Sequence, residues 1–81
     1  MRTYKVVEFE REYEVIVGDG IIAKSHMDLP GDQPVGVRLA HTLFVAAVIA
    51  GKTTATFDKW LETYDTFEAL ESGESPEPSA T

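Results

Sequence analysis

The sequence predicts a small α+β domain, and three observations support this class. A β-rich stretch at residues 3–17 precedes a long apolar stretch at 34–50 and an aromatic, acidic stretch at 57–71. β-Branched and aromatic residues favour strands, whereas apolar residues at every third or fourth position indicate helices. The chain has 81 residues, the length of one small domain with a small core. We therefore predict a single domain over residues 1–71.

The N-terminal stretch predicts a two-stranded β-hairpin. Residues 12–17 alternate between apolar and mostly acidic side chains, as in a strand with one buried face. The first strand contains two adjacent valines, which leave its register open. Either Tyr4 and Val6 or Val7 and Phe9 face the core. Because an isolated hairpin is barely stable in water, helices are expected to cover it.

The segment between the hairpin and the central apolar stretch, residues 21–29, is ambiguous. It fits a third strand after a Gly-Asp-Gly turn, but it also fits a short helix. We favour the helix because Ile22 and Met27 fall on one side of it and the apolar residues do not alternate cleanly. Pro30 is predicted to end the element, since the residue before a proline is pushed out of the helical region.

Residues 34–50 are the most apolar part of the chain and predict the central helix. Its apolar arc is wider than one stripe, so the helix should be covered on several sides. Pro34 suits the first helical turn, and Gly51 suits the left-handed position that ends a helix. Arg38 and His41 interrupt the run, and its length of about 17 residues is short of the ~20 that a membrane span needs.

Residues 57–71 predict a second main helix, N-capped by Thr56. Apolar side chains recur every three or four positions, and acidic residues occupy the remaining surface. Helix propensity is lower at 64–66, which is compatible with a kink or a split there. The final stretch, 72–81, is rich in Pro, Ser and Glu, and such a composition predicts a disordered acidic tail.

The net charge of −7 is concentrated at the C-terminal end. Residues 60–81 hold six acidic residues and no basic one, whereas residues 1–59 are nearly neutral. Nucleic-acid binding depends on clusters of Lys and Arg, so the composition argues against a nucleic-acid partner. The chain has no cysteine, which excludes disulfides and thiolate chemistry. The N-terminus carries no secretory apolar run, so a cytosolic location is expected.

The sequence shows no pattern that indicates catalysis or cofactor binding. His26 and His41 are the only histidines, and without cysteine they do not make a typical zinc site. The Gly-Asp-Gly at 18–20 lacks the context of a dinucleotide-binding loop, and the Gly-Lys-Thr at 51–53 lacks that of a phosphate-binding loop. We therefore expect a non-enzymatic protein without a metal or a cofactor.

The apolar residues of the last two helices exceed what a small neighbouring core is expected to cover. Aromatic residues bordered by charge are typical of binding patches, and helix-in-groove recognition or self-association would use them. The alternative is that each side chain completes the core of the monomer. The candidate contact residues are Phe44, Val48, Phe57, Trp60, Tyr64 and Phe67.

The order of these parts resembles the tail assembly chaperones of long-tailed (siphovirus-type) bacteriophages, especially those of actinobacterial phages. The resemblance covers roughly residues 13–81 and is carried by LAHTLFVAAVIAGK, by TATFDKWLETYDTFEAL and by the acidic Pro/Ser tail. It implies a helical chaperone that coats the tape measure protein in the host cytoplasm and is absent from the mature virion. It also implies a longer frameshifted product that recruits the tail tube protein.

A second function class fits the acidic end of the chain. A small phage-encoded inhibitor of a host defence or nucleic-acid-binding protein would place this acidic surface in a basic groove in place of DNA. Such a mimic needs its acidic residues on a rigid surface, whereas the last of them fall in the predicted tail. The two classes are therefore discriminated by where the acidic residues lie and by whether they are structurally ordered.

Overall fold

The computed structural model describes residues 2–70 of the chain. The elements follow in the order β1 Arg2–Glu8, β2 Glu12–Val17, α1 Asp19–Asp28, α2 Val35–Ile49, α3 Phe57–Thr63 and β3 Tyr64–Leu70. A three-stranded antiparallel sheet and three helices confirm the predicted α+β class. The predicted tail at 72–81 lies outside the described residues.

The predicted hairpin forms, but it is part of a larger sheet with the strand order β2-β1-β3. Val6 lies opposite Tyr13 on β2 and Phe67 on β3, so β1 is the central strand. Val6 is 0% exposed and Phe9 is 73% exposed. The structure therefore selects the register in which Tyr4 and Val6 face the helices.

The prediction of one helix over 57–71 is wrong for residues 64–70, which form a strand. The chain turns to extended geometry at Tyr64, which has φ −70° and ψ 130°, and then runs antiparallel to β1. The register shifts at one point, because Val7 pairs with Thr66 while Glu8 pairs with Tyr64. Asp65 is the extra residue of this β-bulge, and the bulge places Tyr64 and Phe67 on the same face. A spacing of three on one face is typical of a helix, and here a bulged strand produces it.

The ambiguous segment is a helix, as favoured. α1 starts after Gly18, which has extended geometry, and ends at Asp28, two residues before Pro30. The backbone N–H of Leu29 still donates to the carbonyl of Ser25, at 2.9 Å. The chain then reaches Pro30, where the helix cannot continue.

The central helix α2 lies against the sheet, with α1 and α3 beside it. Its small and apolar residues Ala40, Leu43 and Ala47 are buried in one cluster with Val6 and Val15 of the sheet. Gly51 takes the left-handed conformation after the helix, with φ 75°, as predicted. Thr56 caps α3 by accepting a hydrogen bond from the backbone N–H of Lys59, at 3.3 Å.

The other face of the sheet is not covered by these helices. Lys5 of the central strand lies there and forms ion pairs with Glu12 of β2, at 3.2 Å, and with Glu68 of β3, at 3.4 Å. Hydrogen bonds to these two carboxylates raise the pKa of Lys5. Ile16 is 56% exposed on the same face. Because all three strands contribute charge here, this face differs from the apolar face that the helices cover.

We expect Trp60→Ala to lower the free energy of unfolding by about 3–5 kcal/mol, because Trp60 is 1% exposed and its loss leaves a large cavity. Urea denaturation followed by far-UV circular dichroism measures this. The control is Leu61→Ala, since Leu61 is the next residue of α3 and is 39% exposed. A loss of about 1 kcal/mol or less is expected for the control. Equal losses for the two variants would contradict the central position of Trp60.

Candidate functional site

Four of the predicted contact residues form one aromatic cluster around Trp60. The indole stacks on Tyr64 with ring centroids 4.7 Å apart, and the rings of Phe44 and Phe57 lie 5.6 and 6.2 Å from it. Trp60 is buried, whereas Phe44, Phe57 and Tyr64 are half-buried. The cluster therefore joins α2, α3 and β3, and its outer members are partly exposed to solvent.

The other two predicted contact residues lie elsewhere. Phe67 of β3 contacts Tyr4 of β1 edge-to-face, with ring centroids 5.9 Å apart. Val48, near the end of α2, is 41% exposed. The structure thus brings four of the candidates into one cluster, and the contact role of all six stays a prediction.

A polar network starts from the buried side of the same cluster. The indole N–H of Trp60 donates to the hydroxyl of Tyr13 at 3.0 Å, and that hydroxyl donates to the carboxylate of Glu8 at 2.5 Å. Thr63 donates to the same carboxylate at 3.2 Å. Arg11 lies 3.4 Å from it and also donates to the carbonyl of Lys52 at 2.6 Å. The network therefore connects the hairpin to α3 and to the loop after α2.

The protonation states within this network follow from burial and hydrogen bonding. Burial opposes the ionisation of Glu8, but the hydrogen bonds from Tyr13 and Arg11 outweigh it, so the pKa of Glu8 is lowered. Burial and the Glu8 carboxylate raise the pKa of Tyr13 to about 12. Glu8 is therefore ionised and Tyr13 protonated over the ordinary pH range, which suits a fixed structural link.

A second polar group is buried between α1 and α2. The hydroxyl of Ser25 lies 2.7 Å from Nδ1 of His41, and the hydroxyl of Thr42 lies 3.3 Å from that of Ser25. Ser25 is 0% exposed and His41 is 5% exposed. Burial lowers the pKa of His41. A hydrogen bond joins the Ser25 hydroxyl to Nδ1 of the ring, and the ring tautomer sets which of the two donates. The pair is closed to solvent in this fold and joins the two helices.

An apolar groove lies along the N-terminal half of α2, and we call it the α1–α2 groove. Its volume is about 380 Å³. Side chains at helical spacing on α2 form its floor. They are Val35, Arg38, Leu39, Thr42 and Leu43. From Val35 to Leu43 the floor is roughly 12 Å long, at 1.5 Å of helix rise per residue.

The walls of the α1–α2 groove come from two other elements. Ile22 and His26, one turn apart on α1, form one wall, and Tyr4 and Val17 of the sheet form the other. Ile22 is 42% exposed although it is a large aliphatic residue. Val35, the first residue of the groove floor, is 83% exposed. Exposed aliphatic side chains around an apolar groove are typical of a binding site.

Sequence reasoning did not identify the α1–α2 groove. The signal in the sequence was the wide apolar arc of the central helix, which predicted cover on several sides. The structure covers the arc with α1, the sheet and α3, but leaves the stripe at Val35 and Leu39 open along the groove. The position of α1 determines which part of α2 stays open. The apolar residues of α1 are spaced too irregularly to predict that position from the sequence.

Two kinds of site are not found in the described part of the chain. Among residues 2–70, no helix is long and apolar enough to cross a membrane. Over the same residues, no three His, Cys, Asp or Glu side chains are grouped so that they would hold a metal ion.

Comparisons of the chain with protein-family models, with curated proteins and with solved structures found no match. The resemblance to tail assembly chaperones therefore depends on the residue patterns quoted above. Any proposal about function also rests on the geometry of the groove and of the aromatic cluster.

We expect the stability of the protein to fall with pH below about 6.5, in part through His41. Its pKa is below the ordinary value of 6.5 in the folded state, chiefly because of burial, with Arg38 lowering it and Asp28 raising it. The unfolded chain therefore binds this proton first, so the contribution is complete above pH 6.5 and is lost as pH falls through the lower, folded-state value. Glu8 loses its contribution only below its ordinary value of 4.5, outside this window.

Thermal unfolding of the wild type and of His41→Gln measures this pH dependence. The two pH values are about 7.5 and 5.5, on either side of the ordinary histidine pKa of about 6.5. Between the higher and the lower pH, the midpoint temperature of unfolding should fall more for the wild type than for His41→Gln. His26→Gln is the control, because His26 is exposed on α1. A control variant that lost the pH dependence to the same extent would assign the effect to the wrong histidine.

Proposed function

We propose that this protein is a phage tail assembly chaperone that binds apolar helical segments of the tape measure protein and keeps them soluble during tail assembly. The observation that carries the proposal is the α1–α2 groove, with its apolar floor and with Ile22 and Val35 of its lining exposed. The resemblance to this chaperone family supports the proposal independently of the groove.

The dimensions of the groove favour the side chains of a helix as the occupant. A helix about 10 Å wide fills roughly 900 Å³ over 12 Å of its length, more than twice the volume of the groove. A whole helix therefore does not enter, but the apolar side chains along one face of a helix do. This is the helix-in-groove mode, in which apolar residues at spacings of three and four insert into a cleft.

The half-buried rings of the aromatic cluster offer a second apolar surface beside α3. Phe57 and Tyr64 are only partly covered by the chain itself, and Val48 and Ile49 at the end of α2 are 41% and 58% exposed. Within the proposal, this surface serves self-association, and the α1–α2 groove binds the partner. The proposal also includes the host cytoplasm as the location, absence from the mature virion, and a longer product that recruits the tail tube protein.

Co-expression with the tape measure protein of the same phage tests the function. The soluble fraction of the tape measure protein should rise when the wild-type chain is present, and the two should co-purify. The double variant Ile22→Ser/Val35→Ser should reduce both effects, because it removes the exposed aliphatic side chains of the groove. No solubilisation by the wild type would contradict the proposal.

The double variant Val48→Ser/Ile49→Ser is the matched control. It removes a similar pair of exposed aliphatic residues from the opposite end of α2. The control should solubilise the tape measure protein as the wild type does. If the control lost this activity and the groove variant kept it, the contact surface would be at the aromatic end of α2 and not in the groove.

A further inference from the structure

We infer that the α1–α2 groove selects amphipathic helical segments that carry a carboxylate, which Arg38 binds. This inference rests on the proposed function, because it specifies which segments of the partner the groove accepts. Three observations support it: the position of Arg38 on the floor, the partners of its guanidinium, and the charge of the residues around it.

Arg38 lies in the middle of the apolar floor. It is three residues after Val35 and four residues before Thr42, so these three share one side of α2. Leu39 also lines the groove. An apolar row with one cation inside it matches a partner helix with an apolar row and one acidic residue. Electrostatic complementarity of this kind fixes register and excludes wrong partners.

The guanidinium of Arg38 is held in place by backbone carbonyls and not by a carboxylate. It donates to the carbonyl of Gly31 at 2.9 Å and, with a longer contact of 3.5 Å, to that of Ser25. Over residues 2–70, no Asp or Glu lies within ion-pair distance of it. Since a guanidinium has five N–H donors, it retains donors and an unneutralised charge for a ligand.

The charge around the groove is unusual for this chain. The whole sequence has fourteen acidic and seven basic residues, yet the groove lining includes no acidic side chain. His26 and Gln33 add further polar groups to the groove lining. A groove that excludes acidic residues in an acidic protein is suited to an anionic group on the ligand and rejects a cationic one.

Binding of synthetic peptides to the full chain tests this inference by fluorescence anisotropy. The probe is an amphipathic helix of about 20 residues, long enough to be helical alone, with leucine along one face and one glutamate inside the leucine row. Replacing that glutamate by glutamine should weaken binding about tenfold, the usual effect of losing one charge-assisted hydrogen bond. Replacing it by lysine should weaken binding further.

Arg38→Gln should remove the difference between the glutamate and glutamine peptides while the protein stays folded by circular dichroism. Arg38→Glu should bind the lysine peptide better than the glutamate peptide. A destabilised protein would not show this reversal, so the reversal separates recognition from folding. Lys59→Glu is the control, because it makes the same change of charge at an exposed position of α3. It should keep the preference for glutamate.

Peptide binding by the wild type that does not depend on peptide charge would overturn the inference and leave the proposed function intact. The opposite failure, in which the tape measure protein is not solubilised at all, concerns the proposed function alone. Replacing Glu71, Glu74 and Glu77 by Gln in the full chain tests another occupant. A tenfold gain in peptide affinity would assign the groove to the acidic end of the chain and overturn the inference.

Discussion

The indole of Trp60 is the contact on which most of this small structure depends. It stacks on Tyr64, touches Phe44 and Phe57, and donates its one N–H to the hydroxyl of Tyr13, which in turn donates to Glu8. One side chain thereby joins α2, α3, β3 and the hairpin. A domain of this size is stabilised by a margin of only about 5–15 kcal/mol, so one large buried aromatic residue accounts for a substantial part of it.

The strand after α3 turns a marginal hairpin into a sheet. With β3 in place, β1 has a partner on both sides, and its one fully buried residue, Val6, lies between Tyr13 and Phe67. The bulge at Asp65 allows Tyr64 to reach the indole while Phe67 still faces the helices. The sheet and the aromatic cluster therefore depend on the same direct junction of α3 and β3, at Thr63 and Tyr64.

Apolar surface of the helices stays exposed in two places, and the two places differ in character. At the end of α2 near α3, half-buried rings extend outward from the core. At its beginning, α1 and the sheet form walls around a stripe of α2, and Arg38 places a cation in this groove. Of this candidate site, the sequence pointed to excess apolar surface on α2 and to the aromatic residues. It did not identify the groove, because the groove exists only where α1 crosses beside α2.

The sequence by itself determined the features that depend on neighbouring residues. The alternation of apolar and polar residues predicts the hairpin, and the apolar run from Pro34 predicts α2. Gly51 marks the end of α2, and Thr56 marks the start of α3. The tertiary structure decided whether residues after Thr63 form a helix or a strand. Their spacing of three fits both once a bulge is allowed, and pairing with β1, more than fifty positions away along the chain, selects the strand. Long-range contacts have no local signature. The Trp60–Tyr13 hydrogen bond and the groove between α1 and α2 likewise depend on how elements pack in the tertiary structure.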